Sequence, residues 1–330
     1  MKILVTGGCG FIGSNFIRYL LKNTDYEIIN LDALTYSGNP DNLKDIEKNE
    51  KYWFVHGRIE DRKLVSGIVQ DAEYIVNFAA ESHVDRSILD PMPFIVTNIE
   101  GTAALLEVCR HSGIKKFVHI STDEVYGELG ETGKFTESLP LLPNSPYSAS
   151  KASADLIIRA HHETYGLPVA IARPSNNYGH YQYPEKFIPL IITNLLEDKP
   201  VPVYGEGKNI RDWIFVEDCC AGIAAILNHG KPGEVYNVGG ECEKRNIDIV
   251  KMVLKLLRKD ESCIKFVKDR PGHDHRYALD NTKIRKELGW APKINLESGL
   301  EKTIEWYKNN RSWWKPLKER LTRENKGFWS

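Results

Sequence analysis

The sequence predicts an α/β fold, a doubly wound parallel sheet followed by a smaller C-terminal α/β domain. Three observations predict it. Short β-rich runs alternate with helical patterns through the first half of the chain. Those runs are nearly continuous apolar stretches, as expected of strands buried on both faces of a parallel sheet. A glycine-rich turn then joins the first strand to the first helix, at the edge where doubly wound sheets bind their ligands.

In chain order the strand runs are 2–6, 27–31, 52–55, 74–78, 117–121 and 168–173, with helical patterns near 12–22, 62–70, 100–111 and 147–165. The second half is less regular. Helical patterns near 187–197, 217–228, 247–258 and 297–308 sit among loops rich in Pro, Gly and Asn, with short strand runs at 201–204 and 234–238. The expected division is a sheet domain over 1–176, rejoined by about 213–230, and a substrate domain over 177–330 that caps the sheet's C-terminal edge. No internal repeat or low-complexity tract is present.

The chain has 44 Lys+Arg against 45 Asp+Glu, a formal charge of −1. That balance excludes the basic excess of an electrostatic nucleic-acid binder. At 42% hydrophobic and 27% charged it is composed as a folded globule. Its apolar runs are too short to span a bilayer, and the opening Met-Lys-Ile-Leu-Val-Thr-Gly-Gly reads as a strand entering a glycine turn, not as a signal peptide. Six cysteines, at 9, 109, 219, 220, 242 and 263, include no Cys-x-x-Cys pair. They read as reduced, mostly buried thiols of a cytoplasmic protein.

Gly7-Gly8-Cys9-Gly10-Phe11-Ile12-Gly13 follows the first strand run and opens the first helical pattern. Glycines at 7, 10 and 13 let the chain turn sharply and let a pyrophosphate approach the helix N-terminus, whose unpaired N–H groups attract an anion. Asp32 ends the second strand run, where a carboxylate accepts hydrogen bonds from ribose hydroxyls and repels a 2′-phosphate. Together these favour NAD over NADP in a Rossmann-like site. The competing reading is an ordinary turn followed by a capping aspartate.

Tyr147 and Lys151 lie four apart at the start of a long helical pattern and share one face. A nearby ammonium favours the phenolate, which makes Tyr147 a candidate general base for a hydroxyl. The same spacing also fits a surface helix pair. Ser121-Thr122-Asp123-Glu124-Val125-Tyr126-Gly127 follows the fifth strand run, at the sheet edge that faces the ligand crevice. Two adjacent carboxylates there form an acid/base pair if one is protonated and the other ionised. The alternative is that Asp123 caps a turn and Glu124 is solvated. His273-Asp274-His275 lacks a matching partner cluster, so no metal site is expected.

These segments carry a specific resemblance. The glycine loop, Ala79-Ala80-Glu81-Ser82-His83-Val84-Asp85-Arg86-Ser87, the Thr-Asp-Glu triplet, Pro146-Tyr147-Ser148-Ala149-Ser150-Lys151, Ser175-Asn176-Asn177-Tyr178-Gly179, Tyr183-Pro184-Glu185-Lys186, Arg211-Asp212-Trp213 and Asp269-Arg270-Pro271-Gly272-His273-Asp274 resemble the extended short-chain dehydrogenase/reductase superfamily. Within it, the chain is similar from end to end to the dTDP-glucose 4,6-dehydratases. The triplet discriminates, since related epimerases and decarboxylases usually lack the Asp-Glu pair.

The resemblance implies tightly bound NAD, recycled within each turnover, and dehydration of dTDP-glucose to its 4-keto-6-deoxy sugar, in a deoxysugar route such as that to rhamnose. It implies catalytic roles for Thr122, Asp123, Glu124, Tyr147 and Lys151. It places Gly7, Gly10, Phe11, Ile12, Gly13, Asp32, Thr35, Arg58, Ile59, Ala79, Ala80, Thr97 and Asn177, with Tyr147 and Lys151, on the cofactor. It places Ser82, Thr122, Asn176, Lys186, Phe187, Pro202, Tyr204, Arg211, Asn246, Arg270 and His273 on the substrate. It also implies a homodimer through helices near 100–111 and 147–165, although ordinary packing on the sheet explains their apolar faces equally. One residue departs from the pattern. Arg58 stands where the family commonly has an Asp that holds adenine, and a guanidinium cannot accept the adenine amino proton. Rival readings are a UDP-sugar dehydratase or 4-epimerase of the same superfamily, a non-catalytic NAD-binding regulator, and a dehydrogenase that releases NADH.

Overall fold

The computed structural model describes residues 1–324. Strands β1 (Lys2–Thr6), β2 (Glu27–Asp32), β3 (Tyr52–His56), β4 (Tyr74–Asn77), β5 (Lys116–Ile120) and β6 (Val169–Pro174) occupy the runs read from the sequence to within a residue or two. The later strands are β7 (Asn176–Tyr178), β8 (Val201–Tyr204), β9 (Ile210–Phe215), β10 (Val235–Val238), β11 (Glu243–Arg245) and β12 (Ile264–Val267). The main sheet has seven strands in the order β10-β6-β5-β4-β1-β2-β3, every pair parallel. The chain moves outward from β1 through β3 and then restarts at β4 on the other side. That reversal opens a crevice at the strands' C-terminal ends. The inner strands are buried because helices cover both faces, and all five residues of β5 are buried, whereas the edge strand β3 exposes Trp53 and Phe54.

β10 pairs with β6, although the sequence pattern of 234–238 leaves it with the second half. The helix Val216–His229 packs on the same sheet, and its Cys219, Ile223 and Leu227 share one core with Tyr236, Val238, Ile284 and Trp290. A second core, built on Tyr178, Ile191, Val201, Trp213, Ile249, Leu300, Tyr307 and Trp314, carries two small sheets, β11-β9-β7 and β12-β8.

Two helices position the pocket. The helix Phe11–Asn23 begins at Gly10 with no side-chain cap, so its first N–H groups remain open to the crevice. The helix Pro146–Tyr165 is started by a Ser145/Ser148 capping box with Pro146 in its first turn, and is stopped by Gly166 in the left-handed region. The helix expected near 100 begins earlier, at Met92, and passes through a π-helical stretch, Ile95–Gly101, before Thr102–Cys109. Pro91 and Pro93 in the sequence look like breakers, yet both fall at the helix start, where a missing N–H costs nothing. The run Met92–Cys109 is long and apolar enough by composition to cross a membrane, but Phe94, Leu105, Leu106 and Cys109 are buried in the protein.

Candidate active site

One crevice runs along the C-terminal ends of β1, β2, β4, β5 and β6. It is lined by Gly7, Gly10, Phe11, Ile12, Gly13, Asp32, Thr35, Arg58, Ile59, Ala79, Ala80 and Thr97 at one end, and by Ser82, Thr122, Asp123, Glu124, Tyr147, Lys151, Asn176, Asn177 and Lys186 at the other. The structure thus brings together every residue read as catalytic or cofactor-binding.

At the first end backbone does the shaping. Gly7 has φ +68, and a Cβ there would sit 2.6 Å from Ala79 N. A Cβ on Gly13 would lie 2.4 Å from Gly7 O, whereas one on Gly10 would meet only Gly7 O, at 3.2 Å, and would fill the cradle. Asp32 is held by backbone N–H donors, Leu34 N to Oδ1 and Cys9 N to Oδ2, both at 2.8 Å. Burial nevertheless raises its carboxyl from the usual range. The Cys9 thiol is buried and pushed up to about 12, which makes it packing and not a nucleophile. Ile59 is buried, while the Arg58 side chain is 59% exposed and 3.9 Å from Glu60 Oε1. An open cradle, an uncapped helix and a pinned carboxylate fit a dinucleotide such as NAD.

At the other end ionisable side chains meet. Thr122 caps the short turn Asp123–Tyr126, its Oγ1 accepting from Glu124 N and donating to Asp123 Oδ1, both at 3.3 Å. Burial, then the charges of Glu124 and Asp212, push the Asp123 carboxyl well above its usual range. Its Oδ2 is buried with no hydrogen-bond partner among the described residues. Burial raises Glu124 too, but Arg270, Arg211 and Lys186 draw it back. Of the pair, Asp123 therefore keeps its proton to higher pH. Tyr147 differs from the expectation. Burial and the Glu124 charge raise its hydroxyl, against a hydrogen bond with Thr122 that lowers it. Lys151 Nζ is not bonded to that hydroxyl but to Ile120 O at 2.7 Å and His119 Nε2 at 3.1 Å.

The remaining predicted substrate residues lie beyond that wall, on the second core. Arg211 is buried, stacks on Tyr277, and donates to the carbonyls of Ile210, Asp274 and His275. Arg270 donates to Asp85 Oδ1 and the Tyr204 hydroxyl donates to Asp85 Oδ2, each at 3.1 Å. His273 binds Asp269 at 2.6 Å. Phe187 stacks on Trp213 at 6.0 Å. Pro202 lies on β8, and Asn246 opens the helix Asn246–Leu257 with its Oδ1 buried and unpartnered among the described residues. Lys186 spans the two groups by donating to Ser82 O at 2.8 Å.

The sequence model of the family described as GDP-mannose 4,6 dehydratase matches residues 4–303. The chain belongs to that family. It is 51% identical over 330 residues to a "dTDP-glucose 4,6-dehydratase" of Xanthomonas campestris pv. campestris (strain B100), covering 94% of each chain. A crystal structure of DesIV, a dTDP-glucose 4,6-dehydratase from Streptomyces venezuelae with NAD and TYD bound, superposes with a TM-score of 0.94 at 49% identity, over 96% of this chain and 100% of that one. A UDP-glucuronic acid 4-epimerase from Bacillus cereus, with UDP-glucuronic acid and NAD, superposes at 0.89 with 34% identity, over 94% and 99%.

Behind the crevice lining, Asn98 and His119 escaped the sequence reading, and Asp85 was read there only as part of a loop-ordering group with His83 and Arg86. Asp85 anchors both Tyr204 and Arg270, contacts that the sequence does not show. Asn98, in the π-helical stretch, holds the Glu81 backbone at both N and O and the Ser150 hydroxyl. His119 touches Lys151 from inside β5, where it reads as one residue of an apolar run.

Proposed function

We propose that the chain removes water from dTDP-glucose to give the 4-keto-6-deoxy sugar, using bound NAD. The observation that carries this reading is the unequal pair Asp123 and Glu124 beside Tyr147. A 4-epimerase has no use for an acid and a base next to each other, whereas an elimination requires both.

The glycine cradle and Asp32 hold the cofactor, with Thr35, Arg58, Ile59, Ala79, Ala80, Thr97 and Asn177 along it. Bound NAD supplies reversible hydride storage, so C4 is oxidised and C6 reduced with no net redox change. Tyr147, whose phenolate the positive charge of bound NAD would favour against its burial, would take the proton of the C4 hydroxyl while Thr122 hydrogen-bonds the same oxygen. The C4 ketone acidifies C5–H by enolate stabilisation. Glu124 removes that proton, and protonated Asp123 delivers its own to the C6 hydroxyl, which leaves as water and leaves a C5–C6 double bond. The proton on Glu124 then returns to C5. Cationic Lys186, Arg211 and Arg270 suit the diphosphate, with Pro202, Tyr204, Asn246 and His273 toward the nucleoside and Ser82, Asn176 and Phe187 toward the sugar.

We also propose a homodimer. Leu89 (70% exposed), Met92 (56%), Ile95 and Leu156 (59%) cluster on the run from Val84 to Cys109 and on the helix Pro146–Tyr165, an apolar surface that a second copy would cover. The free thiols support a reducing, cytoplasmic setting. Incubation with dTDP-glucose and UDP-glucose in parallel tests the activity. A product lighter by one water, with the alkali-induced absorbance of a 4-keto sugar, is expected from dTDP-glucose. An unchanged mass, or steady NADH release, would refute it.

A further inference from the structure

The short helix Val84–Leu89 is tied down on two sides. On one side it meets the start of the helix Pro146–Tyr165. Tyr147 N, an N–H group of that helix's first turn, donates to Ser87 Oγ at 3.1 Å, and Ser87 Oγ donates to Val84 O at 2.6 Å. Val84 also packs with Phe94 and the Tyr147 ring. On the other side the helix presents Asp85, a buried carboxylate. Its two partners belong to the small sheet β12-β8. Tyr204 ends β8 and Arg270 lies just past β12. The two strands are parallel, with Val267 opposite Tyr204, so both side chains come off the same end of that sheet.

The two oxygens of Asp85 are divided between them. The Tyr204 hydroxyl donates to Oδ2 and Arg270 Nη1 donates to Oδ1, each at 3.1 Å. Which nitrogen is used matters. A guanidinium is planar and holds its donors in fixed directions. Nη1 lies on the side of the stem, so a carboxylate there leaves the Nε–Nη2 edge, whose two parallel N–H groups match two oxygens of a phosphate. Arg270 Nε is buried with no partner among the described residues. A buried donor left unpaired costs free energy, and an anion lodged on that edge removes the cost. Arg270 is also the foremost of the charges that draw Glu124 down, which places the guanidinium within electrostatic reach of the triplet.

We propose that Asp85 is the positioning residue of the diphosphate clamp. It keeps the Nε–Nη2 edge of Arg270 open for the nucleotide, fixes Tyr204 beside it, and through the helix Val84–Leu89 holds both in register with Tyr147. The nature of the ligand rests on the dehydration reading; the anchoring of Arg270 and Tyr204 does not. The role calls for a carboxylate. An asparagine has one acceptor oxygen and one NH2 group. At position 85 it can accept from Arg270 or from Tyr204, but it sets donor against donor at the other.

A double-variant cycle on nucleotide affinity tests this, by calorimetry on the NAD-containing protein with dTDP and UDP as parallel probes. Asp85→Asn is expected to weaken the tighter-binding probe about tenfold or more, with bound NAD unchanged. Arg270→Met is expected to weaken it as well. In the Arg270→Met background, Asp85→Asn is expected to cost less than about threefold, because most of its effect passes through the missing guanidinium. If Asp85→Asn does not fold, Tyr204→Phe keeps the ring, deletes one of the two donors, and takes its place in the cycle with the same non-additivity expected. No binding of either probe to the parent protein, or an equal loss in both backgrounds, would overturn the inference. No turnover enters these measurements. A non-additive cycle in a protein that forms no 4-keto sugar would refute the dehydration reading alone, and an additive cycle in a protein that dehydrates dTDP-glucose would refute the role of Asp85 alone.

Discussion

The two ends of the crevice are built on opposite plans. The glycine end is made of backbone. Gly7, Gly10 and Gly13 supply shape, and Asp32 already has both oxygens on N–H donors. The triplet end is made of side chains whose partners are incomplete. Asp123 Oδ2 and Asn176 Oδ1 there, and Asn246 Oδ1 and Arg270 Nε beyond it, are buried without partners among the described residues. Burying such groups unpaired costs free energy, and it is tolerated where a ligand or a reacting group completes the set. The glycine end is thus a preformed cradle, and the triplet end is held in readiness for chemistry.

That contrast is broken first at the triplet end. Tyr147→Phe removes the proposed base without changing the fold around it, and product formation is expected to fall about 10²- to 10⁴-fold with NAD content unchanged in the purified protein. A loss of NAD together with rate would assign Tyr147 to the cradle instead. Glu124→Gln is expected to cut solvent deuterium entry at C5 by about 100-fold or more, as read by mass spectrometry of the product. Exchange at the parent rate would move the base to another residue.

The glycine end yields differently. In Gly13→Ala the new Cβ has a backbone oxygen at 2.4 Å, so the loop must shift. The expected destabilisation is about 1–3 kcal/mol, with NAD lost on gel filtration, while the triplet geometry is untouched. A variant that keeps NAD and the parent melting temperature would show that the cradle is not tight.

The smallest effect concerns pH. Asp123 has a folded-state pKa above its unfolded value. Between about pH 4, where the unfolded carboxyl ionises, and that raised value, the folded state binds more protons than the unfolded one. Stability therefore falls as pH rises through this window. Asp123→Asn removes the penalty. It is expected to melt a few degrees above the parent near neutrality, with the gap closing toward about pH 4. An equal gap at both pH values would mean that the carboxyl is not the source.

The same contrast explains what could be read in advance. The cradle was legible because its constraints are local. A strand, a glycine turn and a helix follow one another within a few residues, and Asp32 ends the next strand. β9 was not legible, because Arg211 and Asp212 interrupt its apolar run, and both are buried only by virtue of partners far along the chain. Asp212 accepts from Gly240 N and Cys242 N. β10 carries too short a pattern to reveal that it returns to the main sheet. The titration of Tyr147 was also beyond reach, since a four-residue spacing shows that Lys151 shares its face but not that Ile120 O and His119 have engaged the Lys151 nitrogen. Resemblance supplied Arg270 and Tyr204, and only the fold shows that Asp85 ties them together.

The most direct test is a single turnover of Asp123→Asn with dTDP-glucose. Absorbance at the NADH wavelength should rise, because C4 is still oxidised, and then persist, because water cannot leave C6 without its acid. Elimination at the parent rate, with no lasting absorbance, would contradict the assignment of Asp123 and with it the two-carboxylate account of this site.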